Sequence, residues 1–296
     1  MKKIMIIPAV FLAFICFISN HRVKADDDTS EYKINSEFSN KKLKLKENNL
    51  ILDYKLEDVN GDNVKDNVLL VGGKETDKET SWSKNIVLVI QDGKNKKYYK
   101  TSIGKIDYGY NVRMFLGDFN GDRVSDVFIS ASNGEKGRTS SYSLISFKKN
   151  KVNCLINQEK FSKGMAFDLE YTEDFNVDIY SKKYNIEYLL DVSGKKDIYI
   201  DKKIYKNSGK VLKKTKGFHD GFVELRPVDI DMNGIYELRG VQRLYGICEA
   251  DEIGYAKSLW KFDNSEVSLY KVYIVPYDKP ENFNKVKRVV PVMKIN

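Results

Sequence analysis

Gly117-Asp118-Phe119-Asn120-Gly121-Asp122-Arg123-Val124-Ser125-Asp126, set between Met114-Phe115-Leu116 and Val127-Phe128-Ile129, is the stretch from which the fold is read. Counting from Asp118, side-chain oxygens fall at positions 1, 3, 5 and 9. A turning backbone with that alternation aims several hard oxygen ligands at one cation, which points to calcium. An EF-hand would close the loop with a bidentate glutamate at position 12, and Ile129 stands there instead. The flanks are short, β-branched or aromatic runs of strand length, so the unit reads strand, acidic loop, strand.

Two further copies carry the same pattern. Asp58-Val59-Asn60-Gly61-Asp62-Asn63-Val64-Lys65-Asp66 lies between Leu50-Ile51-Leu52 and Val68-Leu69-Leu70-Val71, again with an aliphatic residue, Leu69, at position 12. Asp229-Ile230-Asp231-Met232-Asn233-Gly234-Ile235-Tyr236-Glu237 is looser: its glycine sits at position 6 and it ends in glutamate. The expected calcium ligands are Asp58, Asn60, Asp62 and Asp66 in the first loop, Asp118, Asn120, Asp122 and Asp126 in the second, and Asp229, Asp231, Asn233 and Glu237 in the third. The carbonyls of Val64 and Val124 would add the position-7 contact.

On these loops the chain resembles the FG-GAP or VCBS-type repeats of integrin-like β-propellers, whose blades carry D-x-[DN]-G-D-x-x-x-D calcium loops. The resemblance covers the loops and their flanking strands. It implies an all-β, propeller-like array with calcium-binding hairpin loops, and it bears on fold and metal more than on function.

The loops open at Asp58, Asp118 and Asp229, and the second interval is nearly twice the first, so a regular unit would need a copy in the middle. Asp174-Phe175-Asn176-Val177-Asp178 occupies that place, without the turn glycine and with Lys182 where position 9 should be anionic. An ammonium has no lone pair to offer a metal, so this is either a relic loop or a plain surface turn. Self-similarity at this period implies stacked or radially arranged units, about four to five of them.

The N-terminus runs from Lys2-Lys3 through an apolar stretch, Ile4 to Ile18, to Val23-Lys24-Ala25 and then Asp26-Asp27-Asp28. That order is a secretory signal with cleavage expected after Ala25, and its apolar run is short of the roughly 20 residues of a membrane span. Residues 26–49 form a polar leader or a closing strand, and 50–296 the repeat domain. No span is expected in the mature chain, which would be secreted or associated with the cell envelope. Cys154 and Cys248 would either pair or remain separate thiols.

The net charge of +8 includes Lys2, Lys3, Arg22 and Lys24 of the signal, leaving +4 (8 − 4). Lysine runs at 41–46, 94–100 and 202–216 either solvate a face or attract an anionic polymer. Nucleic acid is not an expected partner. Catalytic patterns are sparse: no phosphate-cradling glycine loop appears, and a Ser-His-Asp system would have to use His219. Glu249, Asp251 and Glu252 could supply paired carboxylates, while Arg239, Arg243, Tyr245, Tyr255 and Trp260 form either a sugar platform or core. The expected function is a calcium-stabilised binding or adhesion module at a bacterial surface, contacting an envelope glycan, an anionic wall polymer or a surface protein. The alternative is an envelope polysaccharide hydrolase or lyase on a propeller scaffold.

Overall fold

Each expected strand–loop–strand unit folds as an antiparallel hairpin. β1 (Leu50–Glu57) pairs with β2 (Asp66–Lys74), β2 with β3 (Ser83–Gln91), and β3 with β4 (Tyr98–Ser102). β5 (Tyr108–Gly117), β6 (Asp126–Ser132), β7 (Ser140–Ser146) and β8 (Asn153–Cys154) repeat the arrangement. Pairing of Ser83 and Lys84 with Gly109 and Tyr108 joins the two sets into one bent sheet. This computed structural model describes residues 31–277 except 47, 75–81, 105, 135–138, 157 and 264–265. The expected signal segment, 1–25, lies outside the described residues.

After the short helix α1 (Gln158–Ser162), β9 (Asp168–Thr172), β10 (Asn176–Ser181) and β11 (Ile186–Asp191) form a three-stranded sheet. α2 (Lys196–Asp201) follows. The last sheet is a four-stranded meander of β12 (Phe218–Val228), β13 (Glu237–Tyr245), β14 (Glu252–Asp263) and β15 (Glu266–Pro276). The class is therefore all-β, in several sheets, none of them closed.

Period-2 alternation sets the layers. In β2 and β3, Val68, Leu70, Leu88 and Ile90 face the β5–β7 layer, while Leu69, Val71 and Val89 face the other way onto Phe38 and Leu43. The β5–β7 layer is buried on both faces too: Val127, Ile129 and Ile145 meet the first layer, and Phe128, Tyr142 and Leu144 meet the C-terminal half. Residues 26–49, expected as a polar leader or a closing strand, are described from 31 on. Their described part lies along the outer face of the first layer, with a bridge from Glu37 to Leu50.

The repeat arithmetic needs two corrections. Asp174 and Phe175, both with left-handed φ (59° and 57°), make a tight turn between β9 and β10, and Asp178 lies within β10 facing Glu170 and Leu189 rather than in a loop. The unit is also not interposed between the second and third acidic loops, which touch each other directly: Tyr236 N donates to Asp118 O at 2.7 Å.

Candidate metal centre

The three acidic loops share one backbone scaffold. In each, the position-9 carboxylate accepts the N–H of position 2: Asp66 from Val59 (3.0 Å), Asp126 from Phe119 (3.1 Å) and Glu237 from Ile230 (3.1 Å). Position 5 accepts from position 7 in the same way, through Asp62, Asp122 and Asn233. The position-1 aspartate accepts the N–H of position 6, from Asn63, Arg123 and Gly234. Such side-chain caps satisfy turn amides that no strand partner reaches.

Positions 4 and 6 are left-handed in every copy: Gly61 and Asn63, Gly121 and Arg123, Met232 and Gly234. The displaced glycine of the third loop therefore changes nothing in its path; the glycine has moved from one left-handed position to the other. Packing explains which position needs it. A Cβ on Gly61 would lie 2.8 Å from Val124, and one on Gly121 would lie 3.3 Å from Ile235. Val124 and Ile235 are the position-7 residues of the next loops, so the loops stack in a row by one repeated contact. Met232, at position 4 of the third loop, ends the row and is 91% exposed.

The acidic groups are balanced differently along that row. In the first loop, Asp66 Oδ1 accepts from Gly93 N (2.9 Å) and Asn60 Nδ2 (3.2 Å), although burial still raises its pKa. In the second, Asp126 is wholly buried and its Oδ1 has no donor at hydrogen-bonding geometry. Burial, opposed by the Phe119 amide and the nearby Ser146 hydroxyl, raises its carboxyl to about 7. Lys148 Nζ stands 3.1 Å from Asp122 Oδ2 on the rim of the same loop. In the third, Lys261 Nζ of β14 lies 2.7 Å from Asp231 Oδ2 and 3.1 Å from Glu237 Oε1, and these acids raise the lysine pKa.

The donor chemistry of the second loop fits a hard cation. An unpartnered buried carboxylate oxygen among Asp118, Asn120 and Asp122 is what calcium would relieve, with Val124 O in reach by position. The first loop fits less well because Gly93 serves Asp66, and the third already holds an ammonium. Among the described residues, no three Asp, Glu, His or Cys side chains converge into a ready cage. Gly93 and Lys261 were not legible as loop partners, since they act from 27 and 30 residues away from the acids they serve.

The other candidate groups have structural partners. Asp251 is buried and accepts from Lys195 Nζ (2.9 Å), the Tyr199 hydroxyl (3.1 Å), the Tyr171 hydroxyl (3.4 Å) and Ile247 N (3.0 Å). Burial, with the Asp251 charge adding to it, raises both tyrosines. His219 accepts the Phe167 amide on Nε2 and packs edge-on to Phe167. Trp260 is core, against Phe161, Phe222 and Tyr184, and Tyr245 is buried on Phe218. Of the aromatic and arginine set, Arg239 and Tyr255 line one open groove together. Cys154 and Cys248 are separate, exposed thiols.

Residues 165–275 match the family described as the YybI C-terminal domain. Over 206 residues, 70% of this chain, the sequence is 29% identical to "Uncharacterized protein YybI" of Bacillus subtilis (strain 168), and the match takes in 77% of that protein. No solved structure matches. The family segment, 165–275, takes in β9 to β14, all but the last residue of β15 and the third loop, and leaves the first two loops outside.

Proposed function

We propose that this protein is a secreted, calcium-stabilised binding or adhesion module built from FG-GAP/VCBS-like blades, acting at a bacterial surface on an envelope glycan or anionic wall polymer. The observation that carries the proposal is the buried, unpartnered Oδ1 of Asp126 in a loop whose scaffold recurs three times. A cation there would neutralise a charge that the fold meets only with the Phe119 amide and the nearby Ser146 hydroxyl, and would fix the β5–β6 hairpin. The second loop would be the main site, the first a weaker one, and the third a copy held by Lys261. Binding is preferred to hydrolysis because Asp251, the buried acid of the 249–252 cluster, is already committed to a lysine and two phenols.

The test is a thermal melt of residues 26–296 in EDTA and across a calcium titration to several millimolar. Extracellular calcium modules have dissociation constants on the order of 10⁻⁴ to 10⁻³ M. At ten times such a constant, one site adds about 1.4 kcal/mol by mass action, and the melting temperature should rise accordingly. A melt that ignores calcium would overturn the metal part of the proposal.

A further inference from the structure

The outer face of the last sheet is laid out by its register. Leu238, Leu244, Ala256, Trp260, Val272 and Ile274 point into the core. The alternate residues form cross-strand rows on the opposite face. One row reads Arg226, Arg239, Leu259, Lys271, and the next Glu224, Val241, Lys257, Tyr273. A third runs from Arg243 through Tyr255 to Val275.

These rows line a groove of about 540 Å³. Val241, Leu259, Tyr255 and Tyr273 line it together with Arg239, Lys257 and Lys271. Among the described residues, Glu224 is its one acidic lining residue, and it is shared by Arg226 (3.0 Å) and Arg239 (3.9 Å). Tyr277 stacks near Tyr255, ring centroids 6.4 Å apart, and extends the aromatic surface. The volume is within the range of small-ligand sites. Apolar rings flanked by cations suit a ligand with both a flat C–H face and a negative charge.

We propose that this groove binds an anionic sugar polymer, with sugar faces on Tyr255 and Tyr273 and acidic substituents on Arg239 and Lys271. The proposal deepens the binding-module reading and rests on it for the protein's extracellular setting, but it does not depend on calcium. Charge complementarity selects the polymer: Arg226, Arg239 and Lys271 lie in the first two rows beside Glu224, and Arg243 in the third is paired with Glu252 at 3.8 Å.

The experiment is isothermal titration of residues 26–296 with polygalacturonate oligomers, in calcium and in EDTA, with dextran and polyglutamate as comparison probes. The expected result is binding to polygalacturonate that weakens as salt is raised, with no binding to dextran. A doubly substituted R239Q/K271Q protein should bind about tenfold more weakly, while K41Q/K42Q, the same charge loss at the N-terminal lysine run, should bind like the parent. Unchanged melting temperatures establish that both variants are folded. Equal weakening by the two pairs, polyglutamate binding as tight as polygalacturonate binding, or no binding to polygalacturonate would each overturn the proposal. Binding in the groove without any calcium effect on the melt would sink the metal reading alone; a calcium effect without groove binding would sink this one alone.

Discussion

Asp126→Asn isolates the buried charge of the second loop. The folded carboxyl is raised from 3.8 to about 7, chiefly by burial. Between those values the folded chain holds a proton that the unfolded chain has released, so stability falls as pH rises, by about 1.4 kcal/mol per pH unit. Across the whole interval the loss is on the order of 4 kcal/mol, complete above the folded value and absent below the unfolded one. Asparagine keeps an oxygen for the Phe119 amide but cannot ionise, and its NH₂ group would face the Asp118 and Asp122 charges that help raise the aspartate. After allowing about 1–3 kcal/mol for an imperfectly paired amide, the variant should be roughly 1–3 kcal/mol more stable than the parent in EDTA at about pH 8, and roughly 1–2 kcal/mol less stable at about pH 4, where the parent carboxyl is protonated and the amide penalty stands nearly alone. Calcium should reverse the order, because only the parent can offer the cation a carboxylate. The assay is urea unfolding at several pH values, with and without calcium. Parallel pH curves for the two proteins, or an undiminished calcium response in the variant, would refute the reasoning.

Lys261→Met should leave buried Glu237 without its cation. The cost in EDTA should be roughly 2 kcal/mol, and calcium should restore part of it; a variant as stable as the parent in EDTA would show that the ammonium does not balance the loop. The glycines separate backbone from packing. Gly234→Ala meets nothing within 4 Å but must adopt a φ near 82°, a left-handed backbone that costs an alanine about 1 kcal/mol. Gly61→Ala has the same φ and adds an approach of 2.8 Å to Val124, so its cost should reach about 3 kcal/mol; equal losses in urea melts would mean that the loops do not press on one another.

What could be read from residues alone was whatever is local. The three hairpins follow from oxygen spacing and from the aliphatic runs on either side, because both the turn and the strands are specified within one short stretch of chain. The two-faced burial of β2 and β6 is likewise visible in their continuous aliphatic character. The order of units in space was not legible. Asp174-Phe175-Asn176 matches the second loop in composition, but Val177 and Asp178 continue straight into β10 and no position-9 acid caps the turn. Trp260 and Tyr245 could not be told from a binding platform by spacing, since the residues that bury them, Phe161, Phe222 and Phe218, come from other elements.

The stacked loops offer a reason why one metal-sensitive copy would matter to the whole molecule. Each copy keeps the same carboxylate-to-amide bond at its base and gathers three carboxylates whose charge must be settled. The first settles it with the Gly93 amide and the third with Lys261, both supplied from outside the loop. The second has Lys148 only at its rim, on Asp122, while Asp126 at its base keeps an unpartnered oxygen. It is also the central copy, with Val124 seated on Gly61 and Gly121 seated under Ile235. Tyr236 N further ties it to the last sheet through Asp118 O, and Phe119 lies in the C-terminal core. Ordering this one loop therefore bears on both neighbours at once, whereas ordering either end of the row would bear on one.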